Sequence, residues 1–246
     1  MDEIISRTRI SNVTLVAVAT TEVEASVEAL MHSMKHISFD KVLLISNYNP
    51  KPGISAYRYH KIEPFKNVGE WGKFIVFDLH KYIDTDYIIL IHADGFIVNP
   101  DKWSEDFKQY DYIGAPWPLP KDSFSYRDNL GNIIRVGNSV SLRSLKLLQL
   151  PSSLDLDWES ADHGFFHEDG FLCVQSRHIL QAHGVKFAPL SVACRFSREA
   201  TLTENRDIEP FAFHKWRGKN RKYPDFRKPL PIHKRLLRFV ARLKQL

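Results

Sequence analysis

Cysteine is almost missing from these 246 residues: only Cys173 and Cys194 are present. Two thiols do not make a disulfide framework, so the chain reads as one kept in a reducing, cytosolic setting. Long apolar runs are missing as well, and no stretch approaches the roughly 20 residues that cross a bilayer. The opening segment, MDEIISRTRI, is charged and has no signal-peptide apolar region. Internal repeats and low-complexity tracts are absent. So is a glycine-rich, basic loop behind the first apolar segment, where "VATTEVEAS" holds no glycine, lysine or arginine.

Acidic residues are scarce at one end. From Lys215 onward there are twelve Lys/Arg and one acid, Asp225, in a chain whose net charge is +5. The body before Lys215 is therefore mildly acidic. That is not the pattern of a general nucleic-acid binder; it is one basic arm suited to an anionic surface.

What is present is ample apolar material, 43% hydrophobic and 12% aromatic, enough for one large α/β domain or two small ones. "NVTLVAVAT" (12–20) reads as a buried strand ending in polar Thr20 and Thr21. "EVEASVEALMHSMKHI" (22–37) has helical spacing of Val23, Val27, Leu30, Met31 and Met34. Strands are predicted at 39–47 and, shorter, within 54–64. A helix is predicted at 70–83, and a strand at "DTDYIILIHADGFIVNP" (84–100). This alternation predicts a mainly parallel sheet with helices packed on it. Beyond Pro100 the pattern predicts an extended, proline-rich stretch and an exposed loop near 121–132. Further on it predicts helices at 141–151 and 168–184, the second stopped by Gly184, and a strand at 185–197.

Parallel strands place ligands at their carboxyl ends, which puts Thr20, Thr21 and His92-Ala93-Asp94 on one edge. In extended backbone, residues two apart point to one side, so His92 and Asp94 can share a divalent cation. An imidazole with a carboxylate suits Mn²⁺, and an all-oxygen shell suits Mg²⁺ better. An equally good reading of the local motif alone is a strand-end turn. Glu168 and Asp169 in "HGFFHEDGFL" (163–172) either complement a helix N-terminus or supply a general base. His214 in "IEPFAFHKW" gains weight only beside His92 and Asp94. Gly137-Asn138 in "IIRVGNSVSLRS" permits close backbone approach to a ligand or is an ordinary turn. Lys73 is either a phosphate contact or a solvated helical lysine.

The order of "VTLVAVAT", "WGKFIVFDL", "YIILIHADGFIVNP", "YDYIGAPW", "VGNSVSLRS", "HEDGFLC" and "FAFHKW" resembles the GT-A class of nucleotide-sugar glycosyltransferases. More narrowly, it is similar to small bacterial glycosyltransferase-like proteins of polysaccharide loci. The resemblance runs from about Asn12 to Trp216 and implies a GT-A-like, Rossmann-like domain over 1–228. It implies a divalent metal, Mn²⁺ or Mg²⁺, at Asp94, His92 and His214, with histidine replacing the usual first acid. It also implies a nucleoside-diphosphate sugar near Thr20 and Thr21, with the Gly137-Asn138 loop at the sugar pocket; Lys73, read from the residues alone, is a further donor-binding candidate. Glu168-Asp169 matches the position of the base in inverting enzymes, and the acceptor would be a hydroxyl of a glycan or lipid-linked molecule. Two rivals are a nucleotidyltransferase, which lacks its basic loop here, and a non-catalytic nucleotide- or sugar-binding module with a degenerate metal site.

The tail has its own pattern. Ile232, Leu236, Phe239, Val240, Leu243 and Leu246 fall on one helical face, and Lys234, Arg235, Arg238 and Arg242 on the other. An amphipathic helix over 229–246 is expected, lying on an anionic membrane at the cytoplasmic side or packing its stripe on the body or a second subunit.

Overall fold

Twelve residues of β1, Thr8–Ala19, form the spine of the molecule. They are flanked in parallel by β2 (Ile37–Ser46) on one side and β4 (Tyr87–Ile91) on the other; β3 (Arg58–Lys61) extends the parallel set beyond β2. The computed structural model describes residues 8–137, 140–158 and 167–227. The six-stranded sheet has the order β3-β2-β1-β4-β7-β6, in which β6 (Tyr112–Ile113) and β7 (Ser141–Ser144) run antiparallel to their neighbours. A second sheet joins β5 (Gly95–Ile97), β9 (Ala212–His214) and β8 (Ser197–Arg198).

Central parallel strands must be covered on both faces, and their sequences are apolar throughout for that reason. On β1 and β4, Leu15, Ala17, Ile89 and Ile91 face a core that includes Val27 and Leu30 of α1 (Val23–Ser33). Val16, Val18, Ile88 and Leu90 face the other way, onto Ile75 of α2 (Val68–Phe77) and Leu148 of α3 (Leu145–Ser153). The expected α/β domain with a mainly parallel, helix-covered sheet is what forms.

Several local expectations are corrected. The helix starting at 22 ends at Ser33, because Ile37 is already paired with Thr8 in the sheet. The stretch 141–151 opens as strand β7, whose four residues are all buried against β4; Ser144 then caps α3 by accepting from Leu147 N–H at 3.1 Å. Pro151 sits inside α3 near its C-terminus, where the missing N–H removes only one late bond and the helix runs on to Ser153. The helix expected at 168–184 is broken: α4 (Glu168–Gly170), a π turn (Phe171–Gln175) and α5 (Arg177–Ala182). Gly184, with φ of 79°, follows as its stop. The late strand expected at 185–197 is instead mostly helix α6 (Leu190–Phe196), led in by Pro189. Within the stretch 103–120 a 3₁₀ turn at Glu105–Gln109 interrupts the extended chain, and the part that carries Pro116, Pro118 and Pro120 has no helix, as expected. Asn138 and the tail at 229–246 lie outside the described residues.

No helix among the described residues is long and apolar enough to cross a membrane.

Candidate active site

The carboxyl ends of β1 and β4 open onto a cleft of about 1280 Å³. Thr20, Thr21, His92, Asp94, Glu168, Asp169 and His214 all line it. Lys73 and Gly137 do not. Lys73 is exposed on α2, away from the buried Ile75 and Val76. Gly137 gives its close approach to a side chain rather than to a ligand: a Cβ there would overlap the Trp117 indole. Trp117 in turn stacks on Tyr126 at 4.8 Å between ring centroids, and both rings wall the cleft.

His92-Ala93-Asp94 is a tight reversal, not a continuation of β4. His92 N–H donates to Gly95 O at 2.7 Å and Gly95 N–H donates back to His92 O at 3.2 Å. The chain re-enters as β5 and pairs with β9 so that Gly95 lies opposite His214. A Cβ at Gly95 would lie 2.8 Å from His214 Cδ2 and 2.9 Å from Phe213 O, so only glycine allows this approach. Asp94 Oδ1 and His214 Nε2 are thereby brought to 3.4 Å. His92 stands alongside, its ring 5.7 Å from His214 and 5.5 Å from Trp71.

A residue outside the sequence-based candidates completes the cluster. Glu199 Oε2 is 3.0 Å from His214 Nδ1, and Glu199 Oε1 accepts from Lys215 Nζ at 2.9 Å. Burial alone would lower the pKa of His214, but hydrogen bonds and charge from Asp94 and Glu199 overcome it and raise it to about 9. Burial pushes the Asp94 carboxyl up, yet its hydrogen bond to His214 and the charges of His214, His92 and Lys215 hold it well below the usual range. The imidazolium thus supplies the positive charge that two carboxylates attract.

That arrangement fits a divalent cation in donor chemistry. Two ligand atoms each about 2.1 Å from a metal stand roughly 3.0–3.4 Å apart at ordinary bond angles, which is the Asp94–His214 spacing. Among the described residues no three His, Cys, Asp or Glu side chains converge tightly enough to hold an ion by themselves. Asp94 and His214 thus offer two donors, and further ligands must come from elsewhere.

Two adjacent acids of the same cleft part company. Glu168 is 1% exposed and paired with fully buried Arg143 of β7 at 3.1 Å. Arg143 is itself held by Ser141 Oγ at 2.9 Å and lies over the Tyr112 ring. Asp169 is half-buried on the cleft wall and accepts from Gly170 N–H at 2.8 Å. Burial first, and the charge of Glu168 second, push its pKa up to about 6. The π turn that follows, closed by Ser176 N–H to Phe171 O at 2.9 Å, carries Gln175 and Ser176 into the cleft lining. Such turns are frequent at functional sites.

A family described as "Protein of unknown function (DUF5672)" matches residues 63–214. The chain belongs to that family. The matched span of this DUF5672 member starts ahead of α2 and closes on His214, so it holds both Asp94 and Asp169. No curated protein matches the sequence. Solved structures do. The galactosyltransferase LgtC, solved with donor and acceptor sugar analogs, is 13% identical with a TM-score of 0.52; the match covers 90% of this chain and 99% of LgtC. The apo-form glycosyltransferase GlyE of Streptococcus pneumoniae TIGR4 is 11% identical with a TM-score of 0.46, covering 85% of this chain and 54% of GlyE. The bifunctional IspDF of Campylobacter jejuni is 13% identical with a TM-score of 0.41, covering 72% and 48%. At this identity the likeness to LgtC shows the fold, which is GT-A-like over most of the chain.

Proposed function

We propose that the protein is a glycosyltransferase that moves a sugar from a nucleoside-diphosphate sugar to a hydroxyl with inversion at the anomeric carbon. The observation that carries this reading is one cleft lined both by the Asp94–His214 pair and by a proton-hungry carboxylate, Asp169. Thr20 and Thr21, at the end of β1, are the donor-side wall, where nucleotides bind in folds of this type. A divalent ion, Mn²⁺ or Mg²⁺, would be held by Asp94 and His214 together with ligands from the bound donor. When bound, it supplies positive charge against the departing diphosphate. His92 lines the pocket beside the two donors.

Asp169 is the proposed base. Its raised pKa matches proton uptake from a sugar hydroxyl near neutral pH, where a poised carboxylate works best. Glu168, locked to Arg143, holds the start of α4 and so fixes where Asp169 points. The acceptor side carries exposed apolar residues on the loop that lines the cleft: Leu119, Phe124 and Leu130 are 60%, 61% and 79% exposed. That rim suits a lipid-linked glycan in cell-surface polysaccharide assembly, and the basic segment 232–246 suits an anionic bilayer at the cytoplasmic face. Sedimentation of the full chain and of a chain ending at 231 with anionic vesicles tests the membrane contact.

The reading is tested by assaying release of nucleoside diphosphate from a panel of nucleotide sugars, with Mn²⁺ and with chelator. Turnover that needs the cation and one base type supports it. Binding of nucleoside diphosphate without turnover, indifferent to Mn²⁺, would favour the non-catalytic module instead, which the histidine in place of the first acid keeps in view.

A further inference from the structure

Glu199 lies one residue beyond β8, with its side chain 13% exposed. Its position is set by register. β8 and β9 run parallel, with Ser197 opposite Ala212 and Arg198 opposite Phe213. The next step along both strands brings Glu199 to His214. Both carboxylate oxygens are committed, Oε2 to His214 Nδ1 at 3.0 Å and Oε1 to Lys215 Nζ at 2.9 Å. The other ring nitrogen, Nε2, faces Asp94 at 3.4 Å on the cleft side.

An imidazole presents a lone pair from Nε2 only when its remaining proton sits on Nδ1. A carboxylate on Nδ1 favours that tautomer, holds the ring plane and makes Nε2 a better donor. We propose that Glu199 is a positioning residue that aims His214 Nε2 at a divalent cation shared with Asp94. This inference rests on the metal-assisted reading above and adds a residue to it.

Two further features separate this from an ordinary ion pair. Lys215 ties both halves of the donor pair: its Nζ occupies the outer oxygen of Glu199, and its backbone N–H donates to Asp94 O at 2.7 Å. It does so with φ of 61°, a left-handed backbone that a lysine rarely adopts. Asn220 then donates to Arg198 O at 2.8 Å and Lys215 O at 3.1 Å, clamping the segments that carry Glu199 and His214. Because both of its oxygens are held within the protein, Glu199 serves the cation through His214 and not as a ligand.

The test is Mn²⁺ titration of the full-length protein in the presence of one fixed concentration of uridine or guanosine diphosphate, which supplies the remaining ligands, with free ion followed by electron paramagnetic resonance. Melting midpoints without metal are recorded in parallel. Glu199→Ala should bind Mn²⁺ about 10- to 100-fold more weakly than wild type. Glu199→Gln, whose amide oxygen still accepts the Nδ1 proton, should stay within a few-fold. If Glu199→Ala does not fold, Glu199→Asp replaces it. Its carboxylate is one methylene short of Nδ1, and the same order of weakening is expected. Wild-type Mn²⁺ affinity in a folded Glu199→Ala or Glu199→Asp overturns the positioning role while leaving the metal reading intact, provided Asp94→Ala loses binding. If wild type and Asp94→Ala bind equally weakly, the metal reading fails and this inference falls with it.

Discussion

The two halves of the molecule are built on different terms. The parallel half, β1 to β4 with α1 and α2, is regular, with strands of up to twelve residues that are buried at the centre of the sheet and paired in parallel with one irregularity, between Ile10 and Thr14 of β1. The half after His92 is made of short pieces: strands of two to four residues, a broken helix and a left-handed lysine. Nearly all the candidate chemistry sits in the second half or at its junction with the first. A regular sheet tolerates few charged side chains in its interior, so it serves as a frame. The irregular half buries Arg143, Glu168, Arg198 and His214, and each of these needs a dedicated partner.

If that division is right, changes in the irregular half should act on rate or on charge balance, and changes in the frame on packing alone. The largest effect is expected for Asp169→Asn, which should lose about 10²- to 10⁴-fold in turnover while keeping donor binding. In wild type, turnover should rise through a limb near pH 6, where Asp169 loses its proton. The same substitution should stabilise the fold at pH 7. A carboxyl raised in the folded state contributes stability that is full below its unfolded value and lost as pH rises through about 6. Melting midpoints across pH 4–8 check this, and a near-normal Asp169→Asn beside a dead Glu168→Gln would exchange the two roles.

Next is Arg143→Met, which strands a buried Glu168 carboxylate and should cost about 3–5 kcal/mol in denaturant unfolding. Asp94→Ala should reduce turnover about 10²- to 10³-fold, the usual loss when one group stabilising transition-state charge is removed. It should still fold, but its melting midpoint at pH 7 should fall, because Asp94 is paired with the buried His214 imidazolium and its carboxyl is held below the usual range. Full activity of Asp94→Ala in chelator would end the metal assignment. In the frame, Ile89→Val should cost only about 0.5–1.5 kcal/mol and leave turnover alone. Smallest of all, Lys73→Ala should stay within about 0.5 kcal/mol in stability and leave turnover unchanged. A rate defect there would return Lys73 to the donor site.

The same division explains what could be read from sequence. Continuous apolar runs marked β1, β2 and β4, whose central residues are buried on both faces, and period-3.6 patterns marked α1 and α2, which each bury one face. Four-residue β7 was hidden: "SLRS" carries no periodicity, and its strand pairing is dictated by the β4 edge. "VKFAPLSVACRFS" alternates enough to pass for a strand, but Pro189 starts a helix whose Val192, Ala193, Cys194 and Phe196 fill the core. Asp94, His214 and Asp169 were legible as motif positions, and the cleft gathers them. Glu199 was not, because one acid in "SREA" has no local signature. Its place depends on a two-residue parallel pairing that only the fold creates.

Gly95 sits directly opposite His214 in the second sheet, although well over a hundred residues separate them along the chain. The pairing is therefore among the most distant contacts the polypeptide must close, and distant pairings are slow to form. During synthesis the β1–β4 frame emerges long before β9 leaves the ribosome. A nascent or truncated chain ending just before His214 would hold its frame and the acids Asp94, Asp169 and Glu199, without the histidine that faces Asp94. On the proposed function, competence is thus a late event in the protein's own assembly, and a chain cut short should be inert toward donor sugars even where it folds.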